Sequence, residues 1–123
     1  MSEKKNIIKD KSFQFAKRII KLYKYLSESK KEYVISKQLL RSGTAIGALV
    51  REAQNAESRA DFIHKLGIAQ KECDETLYWL ELLFESGYLL EPEFQSIQKE
   101  ASDLLKMIRS AIITTKATKQ KNS

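Results

Sequence analysis

One cysteine, one proline, one histidine and four glycines are all that this 123-residue chain holds of the residues that cross-link, break or most readily ligate. The lone Cys73 excludes an internal disulfide and any multi-cysteine zinc site. So few breakers leave room for long, uninterrupted elements. No apolar run comes near the ~20 residues that a membrane span requires. No charged–apolar–small leader opens the sequence, so a cytoplasmic protein with no membrane role is expected.

Apolar residues make up 42% and charged residues 31%, a balance that suits one folded domain and argues against disorder. The net charge of +6 is unevenly spread. Residues 1–60 carry fourteen Lys and Arg against six Asp and Glu, whereas residues 61–123 carry eight against ten. A basic half favours a polyanion such as RNA or DNA, although a lysine-rich surface also serves solubility alone.

Apolar residues recur at helical steps in four segments, and no strand-like alternation or internal repeat is present. In the first, Phe13, Ala16, Ile20 and Tyr23 run beside Phe15, Ile19, Leu22 and Leu26 as one wide stripe. The second has Ile35, Leu39, Ser42, Ile46, Leu49 and Ala53 on one face, with Leu40, Gly43, Gly47 and Val50 adjoining. Ser58 and Asp61 have the spacing of a helix cap, and the third segment then repeats at four–three steps from Phe62 through Cys73 to Leu83. Gly87 suits a left-handed helix end and Pro92 a helix start. The fourth segment runs from Phe94 to Thr115. Helices are expected at about 10–29, 33–57, 59–87 and 92–117, with frayed basic termini. Short connections make consecutive helices antiparallel, so the predicted fold is all-α, an up-down-up-down antiparallel four-helix bundle.

Gly43 and Gly47 lie inside the second helix, where each costs ~1 kcal/mol relative to alanine. The helical period continues across both, which favours close approach of another helix over a break. That helix belongs either to the same bundle or to another subunit, and the sequence leaves both open.

No residue set points to catalysis. A di-metal bundle needs two Glu-x-x-His pairs, and the single His64 has Asp61 three residues before it. Cys73 lies on an apolar seam and reads as a small core residue. There is no glycine-rich phosphate loop. No catalytic residue, metal or cofactor is therefore expected. Glu52, Glu72 and Glu75 beside the seams, with Trp79 one turn after Glu75, read as polar pins between helices, and Arg41 or Arg51 are natural partners for them.

The stretches "KSFQFAKRIIKLY", "QLLRSGTAIGALVREA" and "SRADFIHKLGIAQKECDETLYWLELL", with the glycine at 87, resemble the bacterial four-helix bundle family known as the ribosomal-RNA intervening-sequence, or S23-like, proteins. The resemblance spans roughly residues 6 to 115, and the matching positions are Arg41, Ser42, Gly43, Glu52, Phe62, Lys65, Glu72, Glu75 and Trp79. It implies fold and assembly markers and supplies no catalytic residue. A related group, the accessory proteins of diversity-generating retroelements, forms five-membered rings that engage nucleic acid. The resemblance thus implies a homo-oligomer, a pentamer, and gives a subunit contact at Gly43 and Gly47 equal standing with internal packing.

Together these features predict a non-enzymatic bundle that binds RNA or DNA phosphates through Lys17, Arg18, Lys21, Lys24, Lys37, Arg41, Arg51, Arg59 and Lys65. Ser42, Gly43, Gly47, Glu52, Glu72, Glu75 and Trp79 would serve structure or assembly. No aromatic residue stands out as exposed for base stacking, so weak sequence preference is expected. The alternative is an interaction scaffold that docks a protein partner, without nucleic acid, on the acidic span from Glu72 to Glu100.

Overall fold

A computed structural model of the chain describes residues 2–121, with side chains described from residue 7 to residue 118. Four α-helices follow one another: α1 (Ser2–Glu28), α2 (Ile35–Gln54), α3 (Arg59–Glu85) and α4 (Glu91–Lys121). No strand occurs among the described residues. The outer two helices reach further than the periodicity indicated. α1 is already helical at Ser2 and α4 continues to Lys121, where frayed ends were expected. Neither extension contains a proline or glycine to stop it. α2 is shorter than expected at both ends.

Local chemistry sets the turns. The Asp61 N–H donates to the Ser58 side-chain oxygen at 3.0 Å, which caps α3. At the other end Gly87 has φ +87°; its N–H donates to the Phe84 carbonyl and the Tyr88 N–H to the Leu83 carbonyl. This paired closure satisfies carbonyls that the helix leaves open. Glu91 and Glu93 in the first turn of α4 complement its positive end. The Phe84 and Phe94 rings stack at 4.3 Å, joining the end of α3 to the start of α4.

Each helix packs on its sequence neighbours, and α1 meets α4 over the least of its length. The core is built from Phe15, Ile19, Leu22 and Leu26, facing Leu39, Ile46 and Val50, then Leu66, Leu80 and Leu83, then Ile97, Leu104 and Ile108. Burying a side chain of this size contributes roughly 1.5–3 kcal/mol. Half of the first apolar stripe is not in this core: Phe13 is 46% and Ile20 40% exposed. The stripe is wider than the strip that α2 and α4 cover, so its outer edge faces solvent. Leu40, Leu49 and Phe62 are likewise only partly buried.

Both helix-interior glycines of α2 face α1. A Cβ on Gly43 would stand 2.8 Å from Ile19 Cγ1, and one on Gly47 3.2 Å from the Ser12 carbonyl oxygen. The close approach is therefore between α1 and α2 of one chain, and a subunit contact is not what requires these glycines.

Candidate nucleic-acid interface

The nine basic residues singled out above fall into two sets. Three are already engaged. Arg18 donates to Glu100 at 2.9 Å and to the Ser96 hydroxyl at 2.9 Å, bridging α1 and α4. Arg41 donates through one nitrogen to both Glu72 oxygens, at 3.1 and 3.2 Å, and through the other to Glu75. Lys65 donates to Glu52 at 3.0 Å. Its hydrogen bond to Glu52, and the charge of that carboxylate, raise the Lys65 pKa above the usual lysine value. Hence Glu52, Glu72 and Glu75 all face cations across the α2–α3 seam. Arg51 takes no part in that seam.

Beneath Arg41 the same seam is closed by hydroxyls. The donating Thr76 hydroxyl has Ser42 Oγ at 2.9 Å and the Glu72 carbonyl at 2.8 Å, and both side chains are fully buried. Trp79 is half-buried, its ring edge-on to Tyr78, and its indole N–H meets no acceptor among the described residues.

The second set is uncommitted. Lys17, Lys21, Lys24, Lys37, Arg51 and Arg59 are exposed and make no ion pair among the described residues. Arg51 instead sits over the Phe13 ring, 5.0 Å from its centroid. That contact fixes where the strip lies, because it joins the outer edge of α1 to α2. Along this edge Lys9, Phe13, Lys17, Ile20 and Lys24 follow one another at steps of four, four, three and four, so they share one helical face. Lys37 lies in the first turn of α2, and antiparallel packing sets it towards the Lys24 end of that face.

Carboxylates are scarce on this side. Residues 7–55 contain only Asp10, Glu28, Glu32 and Glu52. Glu52 is held by Lys65. Glu32 is buried and accepts from the backbone N–H groups of Val34, Ile35 and Ser36 at 3.1, 3.0 and 2.6 Å. Burial pushes the Glu32 carboxyl up, but these donors outweigh it and hold the pKa below the usual value. Asp10 lines a groove on the α4 side with Gln14 and Asp103. The α1–α2 face is therefore cationic with little internal neutralisation.

Three of these features escape a sequence reading. Phe13, Tyr25, Tyr33 and Tyr78 are exposed, which corrects the expectation that no aromatic residue is available at the surface. Lys9 joins the strip only once Phe13 is known to face outward. Glu32 lies too far before α2 to read as its cap.

Other chemistry finds little footing. Burial, with the charge of Asp74, pushes the Cys73 thiol up to about 12, and the thiol donates to the Ala101 carbonyl at 3.3 Å. A thiol so held stays protonated and is a poor nucleophile. His64 is exposed on α3. Among the described residues no group of three or more His, Cys, Asp or Glu could hold a metal ion. No helix there is long and apolar enough to cross a membrane.

No curated protein matches the chain. A crystal structure of a protein of unknown function, from the S23 ribosomal protein family of Bacteroides thetaiotaomicron, is similar over 89% of this chain and 97% of its own, with a TM-score of 0.88 and 53% identity. The family described as 23S rRNA-intervening sequence protein matches residues 4–110, and it is to this family that the chain belongs.

Proposed function

We propose that the protein is a non-enzymatic, homo-oligomeric bundle, a ring of five, that attaches to RNA or DNA by contacting phosphates. The observation that carries this reading is the α1–α2 face, where Lys17, Lys21, Lys24, Lys37 and Arg51 make no ion pair among the described residues while Glu32 and Glu52 are engaged elsewhere. The family's description as a 23S rRNA-intervening sequence protein supports it, and the ring rests only on the resemblance to ring-forming relatives. Arg18, Arg41 and Lys65 move from the binding set to the framework, because each already holds a carboxylate.

Binding to unrelated RNA and duplex DNA across a salt series tests the reading. The logarithm of affinity should fall linearly with the logarithm of salt concentration. Replacing Lys17, Lys21 and Lys24 by glutamine should flatten the duplex slope by roughly 0.9 for each phosphate that is no longer neutralised. Arg41→Gln should change it little. Salt-insensitive binding, or none at low salt, overturns the proposal.

A second reading, a scaffold for a basic protein partner, has its support in the outer face of α3, where Tyr78 is exposed among Asp74, Glu81 and Glu85. Partners captured from nuclease-treated lysate, and released on reversal of those charges, would favour it.

A further inference from the structure

We infer that the outer α1–α2 face is built for single-stranded nucleic acid, with Phe13 and Arg51 as a platform for a base and the flanking lysines as phosphate contacts. This rests on the phosphate-binding reading above and adds the form of the strand. A cationic surface alone does not distinguish a single strand from a duplex, since both present phosphates. Phe13 does. Its ring is 46% exposed on a strip whose other members are Lys9, Lys17, Lys24 and the half-exposed Ile20.

A base can stack on an aromatic face or on a guanidinium plane only when it is not already stacked between neighbours, so the platform favours an unpaired strand. Arg51 lies over one face of the ring, 5.0 Å from its centroid, so on that side the guanidinium backed by the ring is the surface offered to a base, and their contact reduces the freedom lost on binding. Cations and apolar side chains alternate along the strip, so that phosphates and bases of one strand can be met in turn. From Lys9 to Lys24 the strip is about 22 Å long at 1.5 Å per residue, enough for several nucleotides.

The rival occupant is a second copy of the chain, since exposed Phe13 and Ile20 also suit a subunit contact. Charge argues against the symmetric version. Two such faces would bring their unpaired lysines together, and only Asp10 and Glu28, towards the ends of α1, are left to offset them.

The test compares labelled oligouridylate and oligothymidylate of about 16 nucleotides with a duplex of equal length, using the full chain and fluorescence anisotropy. The single strands should bind more tightly than the duplex. Phe13→Leu, which keeps the bulk but not the aromatic face, should weaken single-strand binding roughly tenfold and leave the duplex unchanged. Phe13→Trp should restore it. A difference between the two oligomers would separate RNA from DNA as the better strand. Equal weakening for strand and duplex, or none for either, overturns this inference while phosphate binding stands. Failure of every probe at low salt overturns both. A Phe13→Leu protein whose light-scattering mass drops while its affinity per chain is unchanged makes the face a contact between copies, which also overturns the inference. Phe13 lies outside the core, and an unaltered circular dichroism spectrum would confirm that the variants fold.

Discussion

At the start of α2 the N-cap position is Val34, which has no side-chain oxygen to offer the first N–H groups of the helix. Glu32 supplies one from two residues earlier. The turn that allows this places Lys31 at φ +57° and sends the Glu32 N–H back to the Leu26 carbonyl at 2.9 Å. Loss of a helix cap costs about 1 kcal/mol, so Glu32→Ala should lower unfolding stability in urea by about that amount or somewhat more. The contribution depends on pH in a defined direction. Because the folded pKa lies below the ordinary value of 4.5, the stabilisation is complete at neutral pH and is lost as the pH falls through the folded pKa. Wild type and variant should therefore converge in acid, and a constant difference from neutral pH down to pH ~2 would refute the carboxylate's role. The contrast with Ser58 shows what a sequence can reveal at this scale. Ser58 caps a helix that begins at the next residue, so spacing alone exposes it. Glu32 acts through a backbone turn that no side-chain spacing encodes.

Within the helices, the three interior glycines divide by what surrounds them. A Cβ at Gly43 would meet the branch carbons of Ile19 at 2.8 and 2.9 Å, and Ile19 is fully buried with nowhere to turn. Overpacking of this kind costs ~1–3 kcal/mol, against a helix-propensity gain of ~1 kcal/mol. Gly43→Ala should therefore be destabilising, and in a double-mutant cycle with Ile19→Ala the two single penalties should sum to more than the pair costs. Gly67, in the middle of α3, has nothing within 4 Å of an added Cβ. Gly67→Ala should instead stabilise by ~0.4–1 kcal/mol. Thermal or urea unfolding of both variants checks the pair of signs, and a stabilising Gly43→Ala would mean that α1 and α2 do not approach as described. Here the sequence was informative in kind and silent in detail. Periodicity marked Leu39, Ile46, Cys73, Leu83 and Phe94 as interior, because a 3.5–3.6-residue repeat describes a face directly. It assigned Phe13 and Ile20 to the same interior, because a repeat carries no information on how wide a strip the neighbouring helices cover. It could say that Gly43 needed a close neighbour, but not that the neighbour is Ile19.

Over the whole molecule, charge and assembly pull in opposite directions, which makes them separable. The asymmetry between the two halves was plain in the sequence. The division of its cations into engaged and unengaged was not, since Arg18 meets Glu100 and Arg41 meets Glu72 only after the helices have packed. A chain of net charge +6 that assembles with four copies of itself gathers like charge, and that repulsion is screened by salt. With Gly43 and Gly47 turned inward, the contacts of the proposed ring would have to use other surface, and exposed apolar side chains such as Val34, Leu90 and Ile113 would give it a non-ionic basis. Contacts of that kind do not weaken with salt. Phosphate attachment does, and steeply. Light scattering at fixed concentration should thus report five times the 14.2 kDa chain mass, held or strengthened from about 50 to 500 mM salt. Over the same range the affinity for an oligonucleotide should fall by orders of magnitude. At low salt, nucleic acid bound as proposed would neutralise the lysines and should itself favour the assembled state, because a ligand that prefers the ring must stabilise it. Lengthening the strand beyond the ~22 Å of one face should then raise affinity more than in proportion to its length, since a second face binds at high effective concentration. A mass of one chain at every salt concentration would remove the ring and its avidity together, leaving a single cationic bundle. A ring that falls apart as salt rises would show instead that the basic and acidic halves hold each other, and that the lysines proposed for phosphate are occupied in assembly.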